Sequence, residues 1–391
     1  MTEDWIHYFD KANYQPINIF EGIDDDFLSS QICNFHSLKQ VDWTSFDLAI
    51  IGIADSRNST NKGCSEAPNA FRSFLFNLRA LSKDIRIIDL GNIRGKTIDD
   101  RYKALEEIVT ELISLKVIPL ILGGSQDYTF PIAKSVAKSL SSYNLSIIDS
   151  KIDWLRAEQD YSSSSYLGHL CASAKDAPND LSVIGVQKYL YSSYQEDQIQ
   201  HNSYELLRLG QIRQLGHQIA EPLLRDADIL SVDINAVQQS DQPAQRIPMP
   251  NGLSGQELCQ LMWYAGQSDR IKAYGIFELD ISLDINKQAT QLGAQAIWHI
   301  LEGIALRYND YPVKELDSYR QFIVFLDDYE LEIKFYNNAE NDRWWVEIPS
   351  IDDKIEVIAC SRHDFETASN NEIPEKWFRF IQKNNYKSSK K

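Results

Sequence analysis

The 391-residue sequence is short of basic residues. It contains 39 Lys and Arg against 56 Asp and Glu, which gives a formal net charge of −17. A field of that sign repels nucleic acids and anionic membrane surfaces, because both are negatively charged. The basic residues that do cluster stand at the end of the chain, where we expect a frayed tail: Lys383, Lys387, Lys390 and Lys391. The composition therefore predicts neither nucleic-acid binding nor membrane insertion.

Long hydrophobic runs and cysteine motifs are also lacking. No apolar stretch approaches the roughly 20 residues needed to cross a bilayer, and the first residues have neither the basic nor the apolar region of a signal peptide. Five cysteines are scattered without a CxxC motif: Cys33, Cys64, Cys171, Cys259 and Cys360. That spacing indicates free thiols in a reducing compartment and excludes a disulfide framework or a zinc site. We therefore expect a cytoplasmic protein.

What the sequence does contain is an alternation of short apolar runs with amphipathic segments. Most of the runs carry no polar alternation, which is typical of strands buried on both faces of a parallel sheet. The predicted strands are 47–53, 85–90, 117–122, 145–149, 181–186, 229–233 and 273–278. Helices begin between them, for example at the capping-box residues Ser254 and Thr97. We predict a three-layer α/β/α domain over residues 1–312, in which residues 1–45 are a lead-in segment.

Residues 313–391 have a different character. Four short runs there predict further strands, at 322–326, 331–336, 343–347 and 355–359, and a short helix is predicted near Pro374. We interpret this part as a small β-rich appendage that ends in the basic tail. Trp344 and Trp345 would serve either as a partner-binding face or as packing against the main domain, and packing is the simpler interpretation.

Polar residues follow four of the predicted strands directly. They lie in the segments 123–127 (GGSQD), 149–153 (DSKID) and 231–235 (SVDIN), and at position 278. In parallel α/β sheets, ligands bind at the carboxyl ends of the strands. Asp149, Lys151 and Asp153 are two positions apart, so an extended chain would point all three side chains the same way, and Asp233 and Asn235 behave likewise. We therefore expect several carboxylates to converge on one spot.

In order and spacing, these segments resemble the motifs of the arginase, or ureohydrolase, family, which includes arginases, agmatinases and formimidoylglutamases. The family motifs are G-x-x-x-G-P-x-x-I-R, GGDH, DAHxD, SxDxD, P-x-P-x-G-L and E-x-N-P-x-x-D. The corresponding segments here are 63–72, 123–126, 149–153, 231–235, 248–253 and 278–284. The resemblance covers about residues 45–310. It implies the arginase-like fold, and family members often form trimers or hexamers.

The resemblance also implies two manganese ions held by two histidines and four aspartates, and three of those six positions differ here. Gln126 and Lys151 stand where the family has histidines, and Asn235 stands where it has an aspartate. The positions that keep an aspartate are Asp149, Asp153 and Asp233. For this reason the resemblance predicts the fold more directly than it predicts the activity.

Lys151 is the most consequential of the three differences. An ammonium group has no lone pair for a metal ion, and deprotonating it at neutral pH costs about 4–5 kcal/mol from a reference pKa near 10.4. We therefore expect Lys151 to stay charged in the place of one metal ion, and we expect no dinuclear manganese centre. The three aspartates with the amide oxygen of Gln126 are an oxygen-rich set that suits a single hard cation. One weakly held divalent cation thus stays open as an alternative to no cofactor.

Two further residues belong to the pocket that the resemblance implies. In the family, the residue at the place of Glu278 contacts the guanidinium-type group of the substrate; here it would do the same or pair with Lys151, and we favour the ion pair. His169 lies sixteen residues after Asp153, a distance at which the family can carry a mobile active-site histidine. A histidine at the surface, or one satisfied by its own surroundings, is the simpler interpretation.

Three hypotheses about function follow from these residues. The leading one is a pseudoenzyme of ureohydrolase fold that has lost the dinuclear manganese centre and acts by binding a protein partner or a small ligand. The second is a metal-dependent amidinohydrolase of the arginase, agmatinase or formimidoylglutamase type, with one ion or an altered site. The third is a structural subunit of an assembly, which includes a homo-oligomer.

Overall fold

A ten-stranded, mainly parallel sheet forms the centre of the structure, a computed structural model that describes residues 2–156, 160–349 and 355–389. Its strands are β1 (Phe9–Asp10), β2 (Ile32–Asn34), β3 (Leu48–Gly52), β4 (Ile87–Ile93), β5 (Ile118–Leu122), β6 (Asn144–Ile148), β7 (Asp180–Val186), β8 (Glu205–Arg208), β9 (Ile229–Asp233) and β10 (Ala273–Phe277). They lie in the order β1-β4-β3-β5-β10-β9-β6-β7-β8, and β2 also pairs with β4. β1 is antiparallel to β4, whereas the other neighbours run parallel.

Helices cover both faces of this sheet. They are α1 (Ala67–Leu75), α2 (Ile98–Ser114), α3 (Thr129–Ser139), α4 (Tyr166–Ala172), α5 (Ser193–His201), α6 (Leu209–Leu215), α7 (Glu221–Arg225), α8 (Gly255–Gly266) and α9 (Gln288–Ala305). Successive residues of β3 alternate between two hydrophobic clusters: Ile50 packs in the cluster that contains α1, α8 and α9, and Ile51 packs in the cluster that contains α2 and α3. The predicted three-layer α/β/α fold is confirmed.

The predicted helix starts are confirmed as well. At α8, the Ser254 hydroxyl accepts from the amide of Glu257 at 3.1 Å, and the Glu257 carboxylate accepts from the amide of Ser254 at 2.6 Å. Thr97 forms the same reciprocal pair with Asp100 at α2. At α9 the carboxylate of Asp284 accepts from backbone amides of the first turn. This aspartate, part of the last family-like motif, therefore holds a helix in place.

The motif at 63–72 contacts both the sheet and the loop that follows β10. Arg72 is fully buried on α1 and forms an ion pair with Asp89 of β4, with 2.7 Å between Nη2 and Oδ1. Gly63 lies so close to the loop after β10 that an added Cβ would stand 2.0 Å from the Oδ1 of Asp280 and 2.7 Å from the amide nitrogen of Ser282. The motif thus fixes the position of the segment that follows β10.

We expect Gly63→Ala to destabilise the chain by about 1–3 kcal/mol, because the new methyl group overpacks a site closed by backbone. Urea unfolding followed by circular dichroism measures the difference. Gly210→Ala is the matched control, since nothing lies within 4 Å of the Cβ it would add and Ala is favoured over Gly within a helix. An equal loss in both variants would contradict the packing argument.

A second, antiparallel sheet lies near the C-terminus. It contains β11 (Arg320–Leu326), β12 (Leu331–Asn338), β13 (Arg343–Pro349) and β14 (Ile355–Cys360) in that order, followed by α10 (Arg362–Ser369) and α11 (Glu375–Ser389). All four strands were predicted. Helix α10 was not, and α11 is longer than the short helix expected near Pro374.

This C-terminal sheet packs on the main body through aromatic and arginine side chains. Trp345 is 1% exposed, stacks on Tyr319 with 5.0 Å between ring centroids, and carries the guanidinium of Arg225 over its ring at 4.2 Å. Arg343 forms ion pairs with Glu221 at 3.1 Å and with Asp310 at 2.9 Å. Trp344 is also buried. The interpretation as packing against the main body is confirmed for Trp345, whereas the ring of Trp344 packs within the C-terminal part, with 4.7 Å between its centroid and that of Phe365.

The expectation of a frayed basic tail is wrong for Lys383. Its ammonium donates to Asp180 at the start of β7 at 2.8 Å, and Arg379 forms ion pairs with the same carboxylate at 2.8 Å and with Glu205 at 2.6 Å. The physical reason is that α11 brings both side chains to the first residues of β7 and β8, where mostly buried carboxylates need cationic partners. Lys387 lies within α11, whereas Lys390 and Lys391 are outside the described residues.

All five cysteines are free thiols, as predicted. Burial raises the pKa of Cys171 to about 12 and that of Cys259 to about 11, so both thiols are protonated at neutral pH. Within the described parts of the chain, no helix combines the length and the apolar character that crossing a membrane requires.

Candidate functional site

The candidate site lies where four neighbouring strands end. β5, β10, β9 and β6 are adjacent and parallel in that order, so their carboxyl ends share one edge of the sheet. Gln126 follows β5, Glu278 follows β10, Asp233 ends β9 and Asp149 follows β6. The topology therefore brings together the polar segments that the sequence singled out.

Three carboxylates form the buried floor of the site. Asp149, Asp153 and Asp233 are at most 5% exposed. The backbone from 149 to 153 is irregular, unlike the extended chain that the spacing suggested, and it turns so that the carboxylate of Asp149 accepts from the amide of Lys151 at 3.1 Å. Burial raises the pKa of each of the three carboxyl groups, and repulsion from its two neighbours raises the pKa of Asp149 further.

Lys151 supplies the positive charge that faces these carboxylates. Its Nζ lies 4.0 Å from the Oδ1 of Asp153 and 3.9 Å from the Oδ2 of Asp233. Attraction by Asp153 and the other carboxylates outweighs the effect of desolvation and raises the pKa of Lys151 above its usual range. The side chain is still 44% exposed. Lys151 is therefore a charged lysine that reaches solvent on one side and the carboxylates on the other.

Gln126 and Asn235 line the same spot and differ in what their amide oxygens do. The amide of Gln126 donates to Ser231 at 3.2 Å, while its Oε1 is buried without a hydrogen-bond partner among the described residues. The oxygen of Asn235 accepts from Gln242 at 3.1 Å, and its Nδ2 donates to the carbonyl of Glu278 at 3.2 Å. Both polar atoms of the Asn235 side chain thus form hydrogen bonds to other parts of the site, whereas Gln126 has an amide oxygen that can still accept one.

Glu278 is held by neutral donors. It has a left-handed backbone with φ of 69°, and its carboxylate accepts from the hydroxyl of Ser59 at 2.5 Å, the amide of Asn61 at 2.7 Å and the backbone amide of Gln126 at 2.9 Å. The favoured ion pair with Lys151 is therefore wrong, because these donors fix the Glu278 carboxylate while the ion pairs of Lys151 go to aspartates.

The protonation of Glu278 depends on its surroundings. Burial, with the adjacent charge of Asp233, raises its pKa to about 7, although the hydrogen bonds from Ser59 and Asn61 oppose the shift. Both the neutral and the charged form of this carboxyl group are therefore populated around neutral pH. A carboxyl in that state can accept or donate a hydrogen bond to whatever enters the pocket.

Sequence reasoning missed Ser59 and Asn61. They lie in the loop that follows β3, and β3 is the parallel neighbour of β5. The signal was present, since residues 54–62 are a polar run directly after a predicted strand. The same loop carries Asp55. Burial alone would raise the pKa of Asp55, but hydrogen bonds from Arg57 and Tyr128 outweigh it and lower the pKa to about 2.

His169 lies on α4 beside another aromatic ring. The ring of Tyr161 meets it edge-on at 5.1 Å, and the hydroxyl of Tyr161 donates to the carbonyl of Asp127 at 2.9 Å. His169 thus packs against an aromatic neighbour, and its role in the pocket stays a prediction.

The donor set does not fit two manganese ions. Lys151 offers an ammonium group without a lone pair, and the oxygen of Asn235 already accepts a hydrogen bond. Over the described ranges, no group of three or more His, Cys, Asp and Glu side chains is arranged to hold a metal ion. A single hard cation would find oxygen donors on the three aspartates and Gln126, but it would have to displace the ammonium or bind beside it against like-charge repulsion.

Comparison with known sequences gives one consistent result. A sequence profile of the arginase family matches residues 46–302. The formimidoylglutamase of Bacillus subtilis is 24% identical over 288 residues, which cover 68% of this chain and 90% of that protein. The formimidoylglutamase of Photorhabdus laumondii is 22% identical over 261 residues, which cover 62% of this chain and 80% of that protein.

Solved structures have the same fold. The formimidoylglutamase of Bacillus subtilis superposes with a TM-score of 0.65 and 21% identity, over 78% of this chain and 99% of that one. The formiminoglutamase of Trypanosoma cruzi, solved with manganese, superposes with a TM-score of 0.64 and 19% identity, over 69% of this chain and 97% of that one. With the profile match over residues 46–302, the parallel sheet and the shared carboxyl edge, the chain belongs to the arginase family.

Proposed function

We propose that this arginase-family chain acts by binding a small ligand or a protein partner at the carboxyl edge of the sheet, without a dinuclear manganese centre. One observation carries the proposal: the ammonium of Lys151 lies 3.9–4.0 Å from two of the three buried aspartates. A built-in cation there supplies part of the positive charge that a bound metal would otherwise provide.

The size of the interaction supports the proposal. Two unit charges 4 Å apart interact by roughly 4 kcal/mol at an effective dielectric constant near 20. Solvent weakens this attraction at Lys151, because its side chain is 44% exposed. A divalent cation would still have to displace an ammonium that both Asp153 and Asp233 attract, or bind beside it against like-charge repulsion. Without the metal pair, the chain lacks the activated hydroxide on which hydrolysis by such centres depends.

Hydrolysis of a linear amidine, with one ion or an altered site, is the second candidate, and the comparisons favour it. The curated relatives described above are named formimidoylglutamases. The unpartnered oxygen of Gln126 and the three aspartates would be the ligands of a single hard cation. Glu278, with its pKa near 7, would contact the amidine group of N-formimidoylglutamate or a related substrate.

Activity assays on the full chain separate the two candidates. We expect no hydrolysis of arginine, agmatine or N-formimidoylglutamate above the buffer rate, with or without manganese. The formimidoylglutamase of Bacillus subtilis, purified in parallel, is the positive control. Turnover that disappears in Asp233→Ala but persists in Asp228→Ala would establish the hydrolase instead. Asp228 is a buried aspartate next to β9, at the end of the strand opposite the site.

A further inference from the structure

A cavity of about 560 Å³ lies between the main body and the C-terminal sheet. One wall is lined by Trp263 of α8 and by Gln267, which directly follows α8. The opposite wall is lined by Trp344 and His363. Arg225 of α7 also lines it. None of the residues of the carboxyl-edge site lines this cavity, so it is a separate feature of the molecule.

Two buried side chains of the cavity wall have hydrogen-bond donors without acceptors. Arg225 and Gln267 are each 3% exposed, and Arg225 Nη1 and Gln267 Nε2 find no partner among the described residues. Arg225 Nη2 donates to the carbonyl of Trp344 at 3.0 Å, and Arg225 Nε forms an ion pair with Glu221 at 3.0 Å. Gln267 Oε1 accepts from Arg343 at 3.4 Å. Buried polar groups are normally satisfied, so two donors without acceptors in the lining of one cavity indicate a missing acceptor.

The other residues that line the cavity indicate which ligand would fit it. Trp263, Tyr264 and Trp344 contribute aromatic surface. The carboxylate that pairs with Arg225 belongs to Glu221, and it pairs with Arg343 as well. Its Oε1 lies 3.0 Å from Nε of Arg225 and 3.1 Å from Nε of Arg343. A guanidinium with a spare donor prefers a planar anion, which it can bind by charge and hydrogen bond together.

We propose that this cavity binds a small carboxylate carried on a planar apolar body. The carboxylate accepts from Arg225 and Gln267, and the apolar body packs on the aromatic wall. Because the cavity is lined from both sides, such a ligand also tightens the contact between the C-terminal sheet and the main body. This proposal does not depend on whether the carboxyl-edge site is catalytic.

Benzoate is a suitable probe, with benzamide as its neutral counterpart of the same shape. We expect benzoate to quench tryptophan fluorescence of the full chain saturably, because Trp263 and Trp344 line the cavity, and to bind at least tenfold more tightly than benzamide. No saturable change with benzoate up to about 10 mM would overturn the proposal, as would equal binding of benzamide.

Gln267→Leu tests the location of the site. We expect it to weaken benzoate binding about tenfold, since one hydrogen bond to a charged group is lost. Gln245→Leu is the matched control, because Gln245 is also buried but does not line the cavity. This variant should bind benzoate with the affinity of the unaltered chain. Arg225→Lys, which keeps the charge, serves as a second variant with an expected loss of similar size. Unchanged affinity in folded Gln267→Leu would overturn the proposal.

Discussion

Lys151→Met is expected to destabilise the chain and to make its stability respond to a divalent cation. Removing one partner of a buried ion pair costs about 3–5 kcal/mol, but Lys151 is 44% exposed, so solvent screening reduces the expected loss to about 1–3 kcal/mol. The three aspartates then lack their counter-ion and become available to a hard cation. Urea unfolding with and without magnesium or manganese measures both effects.

The control for this variant is Lys188→Met. Lys188 is 64% exposed and lies 3.7 Å from Glu196, so the same substitution there should change the unfolding free energy by less than about 1 kcal/mol. If Lys151→Met were no less stable than Lys188→Met and gained nothing from either metal, Lys151 would not be the counter-ion of the aspartates.

The largest loss of stability is expected for Asp180→Ala. This carboxylate accepts from Arg379 and Lys383, each at 2.8 Å, and all three side chains are mostly buried. Its removal leaves two cations with a single remaining carboxylate, Glu205, so we expect a loss of about 3–5 kcal/mol. Asp10→Ala is the control, because Asp10 pairs with Arg94 at the surface, where the two side chains are 62% and 49% exposed. This variant should lose less than about 1 kcal/mol of unfolding free energy. Similar losses in the two variants would contradict this account of C-terminal docking.

The contribution of Asp180 to the unfolding free energy should also depend on pH. Burial alone would raise the pKa of Asp180, but Arg379 and Lys383 outweigh burial and hold it well below its ordinary value. The folded-state pKa therefore lies below the unfolded value of about 3.9. The contribution is complete above that value and is lost as the pH falls towards the folded-state pKa. The difference in unfolding free energy between the unaltered chain and Asp180→Ala should thus shrink below about pH 4, and a constant difference would contradict the assignment.

The sequence predicted the main fold well because its signals are local. Flat apolar runs marked the seven central strands of the parallel sheet, and reciprocal capping at Ser254 and Thr97 marked helix starts. The short strands β1, β2 and β8 were missed, since two to four residues at the sheet edges carry no such pattern. Helix α10 was missed although Ser361 and Asp364 form a capping box, because few of its residues are buried.

In the candidate site, it was easier to predict which residues come together than which hydrogen-bond or ion-pair partners they have. The convergence of the aspartates followed from strand ends, which any parallel sheet brings together. The partners of Glu278 did not, because Ser59 and Asn61 are more than 200 positions away in sequence. The same limit explains Lys383, whose partner Asp180 lies on a strand that only the folded chain brings close.

Metal content tests the central claim most directly. The full chain is incubated with manganese, desalted and analysed by elemental mass spectrometry, beside a Gln126→His/Lys151→His/Asn235→Asp variant that restores the family ligand set. We expect close to no manganese per unaltered chain, because the ammonium of Lys151 already faces Asp153 and Asp233, and retained manganese in the restored variant. Two manganese ions per unaltered chain would contradict the account, since an ion at the place of Lys151 would need a lone pair that the ammonium group does not have.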